Sequence, residues 1–165
     1  MRVDALFAQD LLKPEVLERM KTETGITEPM RQQAMQLVQG GQENAGALNL
    51  RSMRIVLNPG RTADEYRDAL KHAEVACRID DNAYFLTTLG VAQYRVGQYA
   101  QALQMLIRSD QLNANRFGGS TPNDIAFLAM THDRLGHVDE AKKLLERLRQ
   151  FARLKPLEEH PDLSA

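Results

Sequence analysis

The chain has 165 residues, with 21 Lys and Arg against 22 Asp and Glu, and a formal charge of −1. This length suffices for one compact domain with its own core, and neither part of the chain is basic enough for a nucleic-acid partner. The longest unbroken apolar run, Ile125 to Met130, is far shorter than the roughly 20 residues that span a membrane. A single cysteine, Cys77, fits a reducing compartment. We therefore expect a soluble, cytoplasmic protein that has no membrane or nucleic-acid partner.

Residues 1–44 predict an N-terminal helical extension. Val3, Leu6 and Phe7 indicate a first short helix, Pro14 starts a second, and Gly25 ends it. Thr27 is a suitable N-cap for a third helix, and Gly40-Gly41 is expected to end that helix in a left-handed conformation. The third helix carries an apolar stripe with helical spacing: Met30, Ala34, Leu37 and Val38.

The remainder of the chain reads as helices separated by short turns. A fourth helix is predicted from Ala45 to Leu57, and Asn58-Pro59-Gly60 ends it. Thr121 is a plausible N-cap that is followed by Pro122 and Asp124, which suit the first turn of a helix. Residues 153–165, with two prolines, predict a flexible tail.

An internal repeat organises residues 45–152. The pattern Leu86-x-x-Leu89-Gly90, Arg95-Val96-Gly97 and Ala102-x-x-x-Leu106 recurs 39 residues later as Ile125-x-x-Leu128-Ala129, Arg134-Leu135-Gly136 and Ala141-x-x-x-Leu145. A weaker copy lies upstream, so the predicted repeats are 45–80, 83–113 and 121–152. Each is expected to be a helical hairpin with a glycine turn, because such a period is typical of stacked helix pairs.

Gly90 and Ala102 are expected to lie where the two helices of the second hairpin cross closely. Because Ala129 occupies the position of Gly90 in the next repeat, Gly90→Ala is expected to be tolerated. The surplus length of the 39-residue offset is expected to form a spacer at residues 115–120.

The segment Leu86-x-x-Leu89-Gly90, followed by Gly97-Gln98-Tyr99 and Ala102, resembles the tetratricopeptide repeat. Helical periodicity, with almost no strand-like alternation, already predicts an all-α fold. The resemblance implies that this fold is a right-handed α-solenoid of hairpins with the extra N-terminal helices added to it. Stretches such as Leu89 to Arg95 and Ala126 to Met130 further resemble the C-terminal repeat region of planctomycete-type bacterial signalling proteins. In those proteins this region typically follows a serine/threonine kinase or a WD40 β-propeller domain.

The same resemblance implies a concave groove lined by the first helices of successive hairpins. The candidate partner-binding residues are Tyr84, Thr87, Val91, Tyr94, Arg95, Asn123, Met130, Asp133 and Arg134. Two tyrosines and a methionine offer apolar area, and the arginines offer donors for a peptide carboxylate or backbone. An equally good alternative is that Tyr84 and Tyr94 pack between hairpins.

Signals for catalysis or cofactor binding are weak. His132 and His137 lie near one turn, but residues five apart do not share a helix face and a glycine turn intervenes, so we expect solvated side chains and no metal site. Cys77 is expected to act as a small buried apolar residue. Phosphate-binding and kinase motifs are missing, so no cofactor is predicted.

The sequence therefore favours a non-enzymatic scaffold that binds a protein or peptide in its groove. A second hypothesis is self-association through the last helix, where an apolar stripe formed by Leu144, Leu145, Leu148, Phe151 and Leu154 has no further repeat to cover it. The same stripe could belong to a capping helix. A small enzyme is a third hypothesis, and it requires the turn histidines to meet groups from the N-terminal helices.

Overall fold

The computed structural model describes residues 11–117 and 120–154, and within these ranges the chain is all-helical, without a strand. The eight helices are α1 (Lys13–Thr22), α2 (Glu28–Gly40), α3 (Ala45–Val56), α4 (Ala63–Ile79), α5 (Ala83–Arg95), α6 (Tyr99–Phe117), α7 (Pro122–Arg134) and α8 (Val138–Leu154). The expected all-α class is confirmed. The first predicted helix, at Val3 to Phe7, and the tail from residue 155 lie outside the described residues.

Local sequence signals account for most helix ends. Thr121 caps α7, since its hydroxyl accepts from the Asp124 amide and the Asp124 carboxylate accepts in return from the Thr121 amide. Gly97 and Gly136, with φ of 84° and 78°, end α5 and α7 as expected. The prediction for Gly40-Gly41 was wrong: Gly41 has φ of −70°, so α2 ends in an extended conformation.

The helices pair in chain order as four hairpins: α1 with α2, α3 with α4, α5 with α6, and α7 with α8. The last three hairpins also contact one another in sequence, because α4 packs on α5 and α6 packs on α7. The first helices also contact one another, α3 with α5 and α5 with α7. As a result α5 is enclosed on both sides and buries nine of its residues.

The tightest helix crossing is at Gly90 in α5. A Cβ atom placed on Gly90 would lie 2.7 Å from Leu106 Cγ and 3.3 Å from the Ala102 carbonyl oxygen, both in α6. The expected close approach is therefore present. The expected tolerance of Gly90→Ala is not supported, because Leu106 is fully buried and would have to shift.

The N-terminal hairpin has its own small core of Val16, Met20, Ala34 and Val38. It joins the rest through Leu12, which packs with Leu48, Ala76 and Phe85, and through Glu15, whose carboxylate lies 3.2 Å from His72 Nε2. Half of the stripe predicted for α2 is exposed, since Met30 and Leu37 are 55% and 57% accessible.

Part of the extra length of the repeat is helix. The chain continues as α6 to Phe117, where the sequence predicted a hairpin boundary at residue 113 and a spacer at residues 115–120. The prediction of a loop was wrong for residues 115–117, because the preceding helix simply propagates by about one more turn. Among the described helices, none is both long enough and apolar enough to cross a membrane.

Candidate functional site

Of the nine residues expected to line one groove, eight are divided between two separate surfaces. Four of them, Tyr84, Thr87, Val91 and Asn123, line an opening between α3, α5 and α7, which we call the groove. Four others, Tyr94, Met130, Asp133 and Arg134, face α8 and form part of what we call the end surface. Arg95 lines neither of the two.

The groove is a cavity of about 400 Å³ that opens where the first helices meet. Its apolar wall consists of Met53, Val56, Leu57, Tyr84 and Val91, and its polar side consists of Thr87, Thr88, Asn113, Thr121 and Asn123. The residues from α3 and α6 were missed by sequence reasoning, which considered only α5 and α7. Met53 and Leu57 lie in the predicted helix from Ala45 to Leu57, but the groove was assigned from the two later repeats only.

Tyr84 is the aromatic residue that lines the groove. The residue is 52% exposed, and its hydroxyl lies 2.8 Å from Met53 Sδ, which connects α5 to α3. Val91, in the same apolar wall, is only 1% exposed. Of the two tyrosines, Tyr84 is thus available to a ligand, whereas Tyr94 is half-buried between Tyr99 and Phe127.

A buried carboxylate organises the polar side of the groove. Asp124 is fully buried and accepts hydrogen bonds from Thr87 Oγ1 at 2.7 Å, Asn113 Nδ2 at 3.0 Å and Thr121 Oγ1 at 2.9 Å. These donors come from α5, α6 and the N-cap of α7. Because the Thr87 hydroxyl is already engaged, it positions α7 against α5 and is not a free donor.

No charged side chain lines the groove within the described part of the chain, since Asp124 lies beneath it and its oxygens are satisfied. The expectation that arginines would offer donors for a peptide carboxylate therefore does not fit this opening. The exposed Asn123 provides both a donor and an acceptor at its rim. An uncharged groove of this kind suits a peptide whose apolar side chains enter the groove and whose backbone hydrogen-bonds to the Asn123 amide.

The half-buried Arg95 side chain contacts three neighbouring helices. Its Nε donates to the Val56 carbonyl at 2.8 Å, and its guanidinium carbon lies 5.6 Å from the Tyr66 ring and 5.7 Å from the Phe127 ring. These contacts join α3, α4 and α7 around α5. The half-buried Arg95 side chain therefore has a packing role, and its predicted part in partner binding stays a prediction.

The end surface is a second apolar depression, of about 380 Å³, between α7 and α8. Besides the four predicted residues it is lined by Ala129, Val138, Ala141, Lys142 and Leu145. Met130, Val138 and Leu145 are 39%, 49% and 43% exposed. In the predicted stripe of α8, Leu144 and Leu148 are half-buried and Phe151 is 36% exposed, whereas the Leu154 side chain lies outside the described residues.

The remaining reactive groups do not form a catalytic arrangement in the described ranges. Burial raises the pKa of the half-buried Cys77 thiol to about 12, so the nucleophilic thiolate is suppressed at neutral pH. No group of three or more potential metal ligands occurs among the described residues. The expected separation of the turn histidines was wrong, however, because His132 Nδ1 and His137 Nδ1 lie 3.1 Å apart.

Comparison with known proteins identifies no relative: no protein-family model, curated protein or solved structure matches the chain. Its function is therefore inferred from the arrangement of its own residues.

Proposed function

We propose that the chain is a non-enzymatic binding module of the tetratricopeptide type, acting in the cytoplasm as part of a bacterial signalling system. In this proposal α3 to α8 form a right-handed α-solenoid, to which α1 and α2 are added. The proposal is supported by the pairing of the helices as hairpins and by the contacts of α3 with α5 and of α5 with α7. In this arrangement the contacts among α3, α5 and α7 form a continuous face of first helices on which a ligand can lie.

The observation that carries the function is the uncharged groove on that face. It holds an accessible tyrosine beside aliphatic side chains, and an exposed amide lies at its rim. Tyrosine contributes a large, rigid contact area at low entropic cost and is frequent at binding hot spots. We infer that the groove takes an apolar side chain of an extended protein segment, whose backbone is held by Asn123.

Selection of peptides from a random library on the immobilised protein tests this function. The selected peptides should carry apolar or aromatic anchors, and Tyr84→Ala should weaken their binding by tenfold or more in calorimetric titration. Because Tyr84 is half exposed, its truncation should leave the melting temperature within a few degrees.

The matched control is Met130→Ala, which truncates a partly exposed apolar side chain on the end surface. Peptide affinity should change less than twofold in this variant. Peptides that bind Tyr84→Ala as tightly as the parent would exclude the groove as the binding site.

A second function, self-association, is supported by the end surface. Met130, Ala141 and Leu145 correspond, 39 residues on, to Val91, Ala102 and Leu106, all of which are almost completely buried. Exposed counterparts of core residues are typical of a face that packs on another helix pair. The rim carries Asp133, Arg134 and Lys142, which can pair with charges on a second copy.

Multi-angle light scattering as a function of concentration separates the two functions. If the chain self-associates through the end surface, Leu145→Glu should return it to a monomer, whereas Tyr84→Ala should leave the assembly intact. A parent that stays monomeric at high micromolar concentration would remove this second function without affecting the first.

A further inference from the structure

The turn between α7 and α8 brings two imidazole rings into contact. His132 Nδ1 and His137 Nδ1 are 3.1 Å apart, and the ring centroids are separated by 5.3 Å with the planes at 53°. His132 is half-buried and His137 is exposed. The pair takes no part in the groove or the end surface.

Backbone geometry explains why residues five apart meet here. Gly136 has φ of 78°, the His137 amide donates to the His132 carbonyl at 2.9 Å, and the Gly136 amide donates to the Asp133 carbonyl at 3.0 Å. This double hydrogen bond is the Schellman ending of a helix, in which side chains on either side of the turn are brought together. A helix-face argument does not apply, because the chain leaves the helix between the two histidines.

The two facing nitrogens share one proton in the absence of a ligand. One Nδ1–H donates to the lone pair of the other Nδ1, so at least one ring is neutral and carries its lone pair inward. A neutral imidazole with such a lone pair is the form that coordinates metal ions.

The spacing of the nitrogens suits a shared cation. Metal–nitrogen bonds of about 2.0–2.1 Å place two ligand atoms about 2.9 Å apart at a right angle and about 3.3 Å apart at the tetrahedral angle. The observed 3.1 Å lies between these limits. Imidazole nitrogen is a preferred ligand of Zn²⁺, Cu²⁺ and Ni²⁺.

We propose that His132 and His137 chelate one divalent transition-metal ion of this class through their two Nδ1 atoms, which clamps the turn between α7 and α8. On binding, the donor ring changes tautomer: its proton leaves Nδ1 for water, and its Nε2 takes up a proton from water. Both neutral rings then coordinate through Nδ1 and carry their proton on Nε2, with no net release of protons. The site is independent of the groove and of any partner.

The remaining coordination positions are filled by water. No third histidine, cysteine or carboxylate joins the pair among the described residues. Glu140 is close enough to act on the pKa of His132, but its carboxylate is held by Lys143 Nζ at 2.7 Å. A two-ligand chelate should therefore bind more weakly than the four-ligand sites of structural zinc domains.

Calorimetric titration of the full chain with ZnCl₂ tests the proposal. We expect one ion per chain, and we expect the single variants His132→Gln and His137→Gln each to weaken binding by tenfold or more, because either change removes the chelate. The matched control is His160→Gln, which removes a histidine outside the described residues and should alter the affinity less than twofold.

A second measurement keeps the proposal testable if a variant folds poorly. In the parent protein, Zn²⁺ should shift the nuclear magnetic resonance signals of both Nδ1 atoms, and in the bound state both Nε2 atoms should carry a proton. Absence of binding at 1 mM Zn²⁺, equal affinity in the two variants and the parent, or a shift at Nε2 alone would each overturn it.

Discussion

The hairpins α5/α6 and α7/α8 share one sequence pattern, and comparing them shows how much the burial of a side chain depends on the neighbouring hairpins. Both end their first helix in the same way, with the Gln98 amide bonded to Gln93 and the His137 amide bonded to His132, each at 2.9 Å. Yet Val91, Ala102 and Leu106 are buried, whereas their counterparts Met130, Ala141 and Leu145 are partly or largely exposed.

The difference arises because α5/α6 is packed between two hairpins, whereas among the described residues α7/α8 has a neighbour on one side only. The turn is determined by local residues and is therefore unchanged. Burial depends on adjacent hairpins and therefore differs. A repeat sequence thus defines the shape of a unit, and the position of the unit in the stack decides which side chains carry stability.

The largest expected contrast is between Leu106→Ala and Leu145→Ala. Leu106 is fully buried, so its truncation leaves a cavity and should cost about 2–5 kcal/mol of unfolding free energy. Leu145 is 43% exposed and its truncation should cost less than about 1 kcal/mol. Urea titration measures both, and comparable losses would mean that α8 is covered as α6 is.

A second contrast compares the two arginines that end α5 and α7. Arg95→Ala removes the hydrogen bond to Val56 and the contacts with two rings, so we expect a loss of about 1–3 kcal/mol. Arg134 is exposed and lies 6.0 Å from the Tyr99 ring, so Arg134→Ala should cost about 0.5 kcal/mol. Thermal unfolding would contradict the packing role of Arg95 if both variants melted at the parent temperature.

The smallest contrast concerns the helix crossing. In Gly90→Ala, a gain of about 1 kcal/mol in helix propensity is opposed by overpacking against Leu106, which typically costs about 1–3 kcal/mol. We expect a net loss of about 1 kcal/mol in denaturant titration.

The double variant Gly90→Ala/Leu106→Ala supplies the control for this crossing. With the Leu106 side chain truncated, the added methyl group has space, so in this background Gly90→Ala should be neutral or stabilising. Equal losses in both backgrounds would show that the cost is unrelated to Leu106.

Much of the fold follows from the sequence alone. Helical periodicity predicted the all-α class, Thr121 with Asp124 predicted the start of α7, and the glycines at 97 and 136 predicted the left-handed turns. These features depend on residues within about one turn of each other, so the local chain contains the information. The repeat offset likewise predicted which helices form hairpins.

Other features were decided only by the tertiary structure. Eight of the nine candidate residues were divided between two surfaces, Arg95 packs against neighbouring helices, and Met30 and Leu37 were left exposed. The physical reason is that a periodic pattern defines a face of one helix but not what the neighbouring helices present to it. The meeting of His132 and His137 was missed because the glycine turn was expected to keep the two side chains apart, whereas the way that α7 ends at this turn brings them together.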